Sequence, residues 1–319
     1  MSGGEPAGIT EAGVYPGITS AQYHADPCPE PSASSSVLKT LMAKSPRHAA
    51  LEHPRLEPQA PQTQRKDFDV GSAAHAILLG QPDPIRVIDA PSYQSKAAKQ
   101  GRDAAYEAGQ IPALREQYER VCAMVDAARA QLAAHQGAHD AFDLTAGQAE
   151  ITLAWLDDGA WCRARLDYMC ADRPAIDDYK TTATTALGWG DRTFWDTGCD
   201  IQAGFYRRAY RAIYGRDPVV RFIVQETQPP HGLMVYRVAG RAAELADQRA
   251  DRALSWWRWC VRTGRWPGYP ALTADVQVPA RQEYREEDEA IRQDNLAQAA
   301  PDMTQRFIDW QAPIKTAAE

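Results

Sequence analysis

The chain has 319 residues, 44% of them hydrophobic and 24% charged, and a formal net charge of −7. That composition can fill a buried core, and it argues against both a disordered polymer and a protein that coats nucleic acid through bulk positive charge. No apolar run is long enough for a membrane span, no secretory signal opens the sequence and no P-loop occurs, so a cytoplasmic protein without ATP chemistry is expected.

Residues 1–33, rich in Gly, Pro, Ser and acid, read as a flexible N-terminal arm. Ser34–Ser36 then cap an apolar helical stripe, Val37, Leu38, Leu41 and Met42, which Pro46 closes or restarts. Residues 54–66 read as a Pro/Gln linker. Asp67 to Leu79 reads as a helix with a small-residue face of Gly71, Ala73, Ala74 and Ala76. Helical spacing predicts two further helices over 93–108 and 112–135.

The period then changes to two. Glu150–Leu156 and Trp161–Cys170 form a predicted hairpin about Asp157-Asp158-Gly159, and Pro174–Lys180 a third strand. A helix over Asp200–Tyr214 ends at Gly215. Strands over 218–227 and 233–238 and a long helix over Ala242–Thr263 follow. The fold class expected is α/β, with a mixed central sheet flanked by helices and an N-terminal helical layer. The acidic run E-Y-R-E-E-D-E near the C-terminus reads as a solvated helix face.

Residues 161–240 are the net-positive part of the chain, with 11 basic and 9 acidic residues, and they hold most of the candidate chemistry. Strand alternation puts Arg163, Arg165 and Asp167 on one face, Ala164, Leu166 and Tyr168 on the other, and Ile176, Asp178 and Lys180 together on the next strand. Carboxylates and a lysine on a buried sheet need partners. Asp167 and Asp178 offer the hard oxygen ligands that Mg²⁺ prefers, and Lys180 can orient water or offset charge on a phosphate. Upstream, the helix G-S-A-A-H aims His75 at such a site, and Gln202 and Tyr206, four apart, point the same way from another helix. Glu150 is either a further ligand or a partner for a basic residue. The six cysteines lack C-x-x-C or zinc spacing and read as reduced, buried thiols.

Taken in order, G-S-A-A-H, E-I-T, R-L-D, D-Y-K-T-T and Q-A-G-F-Y resemble the RecE-type (exodeoxyribonuclease VIII-like) exonuclease domain, in the RecB-like branch of the PDDEXK nuclease superfamily. The S-S-S-V-L-K-T-L-M opening extends the likeness, which covers roughly residues 18 to 265. The resemblance implies a restriction-endonuclease-like core over 34–265, with 266–319 as an extension of unassigned role. It implies that His75, Asp167 and Asp178 ligate metal, that Lys180 is the motif lysine, that Gln202 and Tyr206 form the Q-x-x-x-Y motif, and that Glu150 belongs to the catalytic set. Leu166 replaces the proline of the usual P-D dipeptide, and Asp178 stands where many relatives carry Glu.

The implied activity is Mg²⁺-dependent degradation of linear double-stranded DNA, 5′ to 3′, leaving 3′ tails for phage-type recombination by strand annealing. Mn²⁺ is expected to substitute, and no iron–sulfur cluster is expected. A single-strand annealing protein and a homo-oligomeric ring around DNA are the implied partners. Arg165, Thr181, Lys96, Lys99, Arg102, Arg207, Arg208 and Arg211 are the candidate DNA contacts. The alternatives are a structure-specific or defence-related endonuclease on the same site, and a nuclease-like module that only binds.

Overall fold

The structure is a computed structural model and describes residues 8–57, 68–81, 84–278 and 280–299. In chain order its elements are β1 (Gly13–Tyr15), α1 (Ser20–His24), α2 (Ser35–Ala43), α3 (Pro46–Glu52), α4 (Val70–Leu78), β2 (Ile85–Ile88), α5 (Lys96–Glu107), β3 (Ile111–Leu114), α6 (Arg115–Ala133), β4 (Gly147–Asp157), β5 (Ala160–Cys170), β6 (Ala175–Thr182), α7 (Thr193–Asp196), α8 (Cys199–Tyr214), β7 (Val219–Glu226), β8 (Leu233–Val238), α9 (Gly240–Thr263) and α10 (Ala280–Ala299). Two compact units result, Met1–Tyr269 and Pro270–Glu319. The second holds α10, which carries the acidic run and exposes Tyr284 and Ile291. Among the described residues, no helix is long and apolar enough to cross a membrane.

Six strands form one mixed sheet in the order β1-β4-β5-β6-β7-β8. Only β6 and β7 run parallel; the other neighbours are antiparallel. One face packs on α8, α9 and α2 through Ile151, Leu153, Leu166, Ile176 and Phe222, with Phe205 and Trp257 among the helical residues. The other packs on α4 and α6 through Tyr168, Tyr179 and Ile223, against Ala73, Ala74, Val121 and Val125. Helices on both faces explain why β6 is buried from Ala175 to Tyr179 rather than alternating.

The helix starts follow local chemistry. Ser34 caps α2 by accepting the Val37 N–H, and Ser45 caps α3, whose first residue is Pro46. Gly215, in the left-handed region at φ 69°, stops α8. Gly204 permits the close approach of α8 to α9, since a Cβ there would lie 2.2 Å from the Ala246 carbonyl oxygen.

Three expectations are corrected. Residues 8–33 are not a loose arm: β1 pairs with β4, Ala33 bridges to Cys162, and Ile9, Ile18 and Tyr23 are buried against Ala154 and Trp161. Of the helix expected over 112–135, residues 112–114 are not helical but belong to β3, parallel to β2, with α5 as the crossover. The alternation along β5 also breaks. Leu166 lies in the core under α8 and α9, whereas Tyr168 lies in the core under α4 and α6. The linker expected over 54–66 falls largely outside the described residues, as do residues 1–7 and 300–319.

Candidate active site

The break in alternation marks the site. The β4–β5 register pairs Ala149 with Tyr168 and Ile151 with Leu166, leaving Glu150 and Asp167 opposite one another but outside the ladder. Glu150 takes φ 55°, a left-handed conformation that costs a non-glycine residue free energy and in strands accompanies local twisting. On the other side, β5 and β6 pair only through Tyr168–Asp177 and Met169–Ile176, so Asp167 and Asp178 face each other just past the last rung. Three carboxylates thus lie in a row across β4, β5 and β6 where the sheet opens.

Helices reach this opening from both layers. From α4, His75 places Nε2 3.1 Å from Asp167 Oδ2 and Nδ1 3.6 Å from Glu150 Oε1. Asp167 Oδ2 also accepts the Tyr179 N–H at 2.9 Å. His75, Glu150 and Asp167 each offer a ligand atom, all within 4.8 Å of one another. One imidazole nitrogen and two carboxylates on a half-buried surface suit a divalent cation with positions left for water.

From α8, Gln202 donates to Asp178 Oδ2 at 2.6 Å and to the Tyr206 hydroxyl at 2.9 Å, and Tyr206 donates to the Arg165 carbonyl at 2.8 Å. Asp178 is fully buried, and its Oδ1 accepts from Lys180 Nζ. Both Asp178 oxygens therefore carry a donor, and this carboxylate stands beside the His75–Glu150–Asp167 group. Lys180 also lies over the Phe222 ring, 5.7 Å from its centroid.

The electrostatics follow from this crowding. Burial and the neighbouring Asp167 push the Asp178 carboxyl up to about 6, against the pull of Lys180. Burial also opposes the charge on Asp167, but His75, Lys180 and the Tyr179 N–H together hold it below the usual carboxylate range. Burial opposes protonation of His75, yet Asp167, Glu150 and Asp178 outweigh it and raise its affinity for a proton. Burial opposes the charge on Lys180, yet Asp178 and Asp167 keep it firmly an ammonium.

The expected residues divide clearly. His75, Glu150, Asp167, Asp178, Lys180, Gln202 and Tyr206 come together. Glu150 meets both of its alternatives, since it faces His75 and also binds Arg165, whose Nε lies 2.5 Å away. Arg165 is further held by the Ile18 carbonyl at 2.7 Å, so its guanidinium is engaged within the fold. Thr181 packs its hydroxyl against Gly71 of α4.

The arginines of α8 are not a free basic track. Arg207 pairs with Asp247 and Asp217, Arg208 with Asp157 and Asp251, and Arg211 with Asp217 and Asp247. Arg102 pairs with Asp103, while Lys96 and Lys99 are exposed on α5. One site residue escaped the sequence reading. Lys39 of α2 donates to Gln202 Oε1 at 2.7 Å. Its only signal was its place inside S-S-S-V-L-K-T-L-M, where it looked like the polar side of an amphipathic helix.

Comparison with known proteins places this geometry in a family. A family model described as a PDDEXK-like domain of unknown function (DUF3799) matches residues 34–275. Comparison with curated proteins returns no match. Among solved structures, the chain is similar to the crystal structure of a candidate exonuclease from Eubacterium rectale, with a TM-score of 0.50 and 14% identity over 82% of this chain and 94% of that one. At that identity the likeness speaks for the fold. The mixed six-stranded sheet, the carboxylate row and the D-x-K strand agree with it, and the chain belongs to the PDDEXK-like domain family of the nuclease superfamily.

Proposed function

We propose that the protein is a divalent-metal-dependent deoxyribonuclease that degrades linear double-stranded DNA from its ends, 5′ to 3′, as a RecE-type exonuclease does. One observation carries the nuclease reading: His75, Glu150 and Asp167 converge beside the Asp178–Lys180 pair inside a PDDEXK-like domain. The RecE-type polarity rests on the motif order in the sequence. Mg²⁺ is the proposed ion, with Mn²⁺ able to replace it. An annealing protein, a ring-shaped homo-oligomer and a cytoplasmic setting belong to the same proposal.

In this mechanism His75, Glu150 and Asp167 would hold the metal, and Glu150 takes the ligand place expected for Asp178, whose two oxygens already accept from Gln202 and Lys180. When bound, the metal lowers the pKa of water and offsets charge on a phosphate oxygen. Lys180 presents an ammonium, fixed by Asp178, toward the developing charge on the scissile phosphate. Gln202 fixes the second Asp178 oxygen, and Tyr206 ties α8 to the β5 backbone at Arg165. Of the candidate DNA contacts, Lys96 and Lys99 on α5 are exposed and are the ones proposed to meet duplex DNA.

The test digests end-labelled linear duplex and covalently closed circular duplex with Mg²⁺, with Asp178→Ala and Lys180→Ala as controls. Loss of 5′ label from linear DNA, circles left intact and inactive controls are expected. Circles cut as fast as linear DNA would favour an endonuclease. Full activity in both controls would remove the proposed site.

A further inference from the structure

The amide of Gln202 has two ends that differ in chemistry but barely in shape. One must face the Asp178 carboxylate, which only accepts when ionised, and the other faces Lys39, whose ammonium only donates. Lys39 therefore leaves one orientation open: Oε1 toward α2 and the NH₂ group toward Asp178 and Tyr206. With the amide reversed, a donor would meet a donor at Lys39 and an acceptor an acceptor at Asp178. Tyr206 accepts from the same NH₂ and donates its own O–H to the Arg165 carbonyl, so every hydrogen bond from Lys39 to β5 runs in one direction.

Lys39 is itself held for this task. Its stem lies against the start of α8, where a Cβ at Gly198 (φ 70°) would meet Lys39 Cγ at 3.0 Å and Cδ at 3.4 Å. Val37, Leu38 and Leu41 anchor α2 in the core on either side of it.

We propose that Lys39 is a positioning residue of the active site: it acts through Gln202, fixing the amide so that its NH₂ group holds Asp178 Oδ2. This deepens the nuclease reading and rests on it for its effect on DNA cleavage, but the contact can be tested without cleavage.

The first readout is the side-chain amide signal pair of Gln202 in nitrogen-15-labelled, metal-free protein, identified by its loss in Gln202→Met. Lys39→Met is expected to shift this pair and to speed its exchange with water. The second is a cycle of Lys39→Met, Gln202→Met and the double variant, read by Mn²⁺ calorimetry and by cleavage of linear duplex. Each single variant is expected to lower Mn²⁺ affinity or kcat by about 10–100-fold with little change in KM for DNA, and the double to lose no more than Gln202→Met alone. If Lys39→Met does not fold, Lys39→Gln, which both donates and accepts and so no longer dictates the orientation, is read in the same way.

An unchanged Gln202 amide pair overturns the proposal. So does a rise in KM at constant kcat, which would make Lys39 a DNA contact, and so do losses that simply multiply in the double variant. If the wild-type protein binds Mn²⁺ but cuts no DNA, the nuclease reading fails, while the amide signals and the calorimetric cycle still decide the role of Lys39.

Discussion

Asp167 on β5 binds the backbone N–H of Tyr179 on β6 at 2.9 Å, just past the last rung that joins the two strands. A side chain thus replaces the main chain as the hydrogen-bond partner at the point where the sheet opens, which keeps Asp167 fixed without filling the gap. Its Oδ2 meets both His75 and Tyr179, so the carboxylate that braces the opening is also one of those proposed to bind metal.

Metal binding should therefore appear as stability. A ligand that binds only the folded state stabilises it by about 2.7 kcal/mol at a hundred times its Kd. Mn²⁺ or Mg²⁺ should raise the melting temperature of the wild-type protein, and a chelator should return it to the metal-free value and abolish cleavage. His75→Ala and Asp167→Asn should melt at the same temperature with and without metal. A metal-dependent rise of wild-type size in either variant would remove that residue from the ligand set.

Glu150 supports a second prediction. Glycine takes φ 55° without the Cβ penalty of about 1–2 kcal/mol that other L-residues meet in the left-handed region. Glu150→Gly and Glu150→Ala both remove the carboxylate from His75 and Arg165, so both should lose nuclease activity. They differ in backbone freedom, and the Gly variant should be the more stable by about 1 kcal/mol in urea unfolding. Equal stability would mean that the backbone relaxes there.

Asp26 gives the pH dependence. It is buried, also at positive φ, and receives Arg163 Nη1 at 3.0 Å, His53 Nε2 at 3.2 Å and the Ser32 hydroxyl at 2.6 Å. Burial opposes its charge, but His53, Arg163 and Ser32 outweigh burial and lower its affinity for a proton. Its contribution is therefore fully present above the unfolded-state value near 3.8 and is lost as pH falls through the lower folded-state value. Asp26→Ala should cost about 3–5 kcal/mol at pH 7, because it leaves Arg163 buried without its carboxylate. The gap from wild type should narrow in urea titrations below pH 4. A constant gap across pH 3 to 7 would show that the cost is packing rather than charge.

Gly204 sits between Gln202 and Tyr206 on α8, where the helix lies against α9. A methyl group there would meet the Ala246 carbonyl and, at 2.9 Å, the Ala250 Cβ. Gly204→Ala should therefore destabilise the protein by about 1–3 kcal/mol, although alanine is the better helix former. A stabilised variant in thermal or urea unfolding would mean that α9 yields.

The sequence was most legible where local signals and tertiary packing agree. The Asp157-Asp158-Gly159 turn and the alternation around it gave β4 and β5, and Gly215 gave the end of α8. The order of the motifs gave the residues that meet in the opening. Less legible was what depends on distant partners. The acids that hold Arg207, Arg208 and Arg211 lie on α9, on the loop before β7 and at the end of β4, so the α8 arginines looked free when read alone. The strand β3 is four residues long and runs directly into α6, so helical spacing absorbed it. The face change at Glu150 and Asp167 contradicts simple alternation and left no composition signal. Lys39 reads as an ordinary surface lysine until α8 is packed against α2.

The match to the family model begins at residue 34, yet β1, at residues 13–15, lies along β4 at the end of the sheet. A domain excised at Ser34 would keep His75, Glu150 and Asp167 and still bare the backbone of β4 over Thr152–Ala154, an open edge able to recruit other chains. It would also release Arg165 from the Ile18 carbonyl. Such a fragment would tend to aggregate, so the choice of N-terminal boundary determines whether the isolated domain is fit for biochemical work.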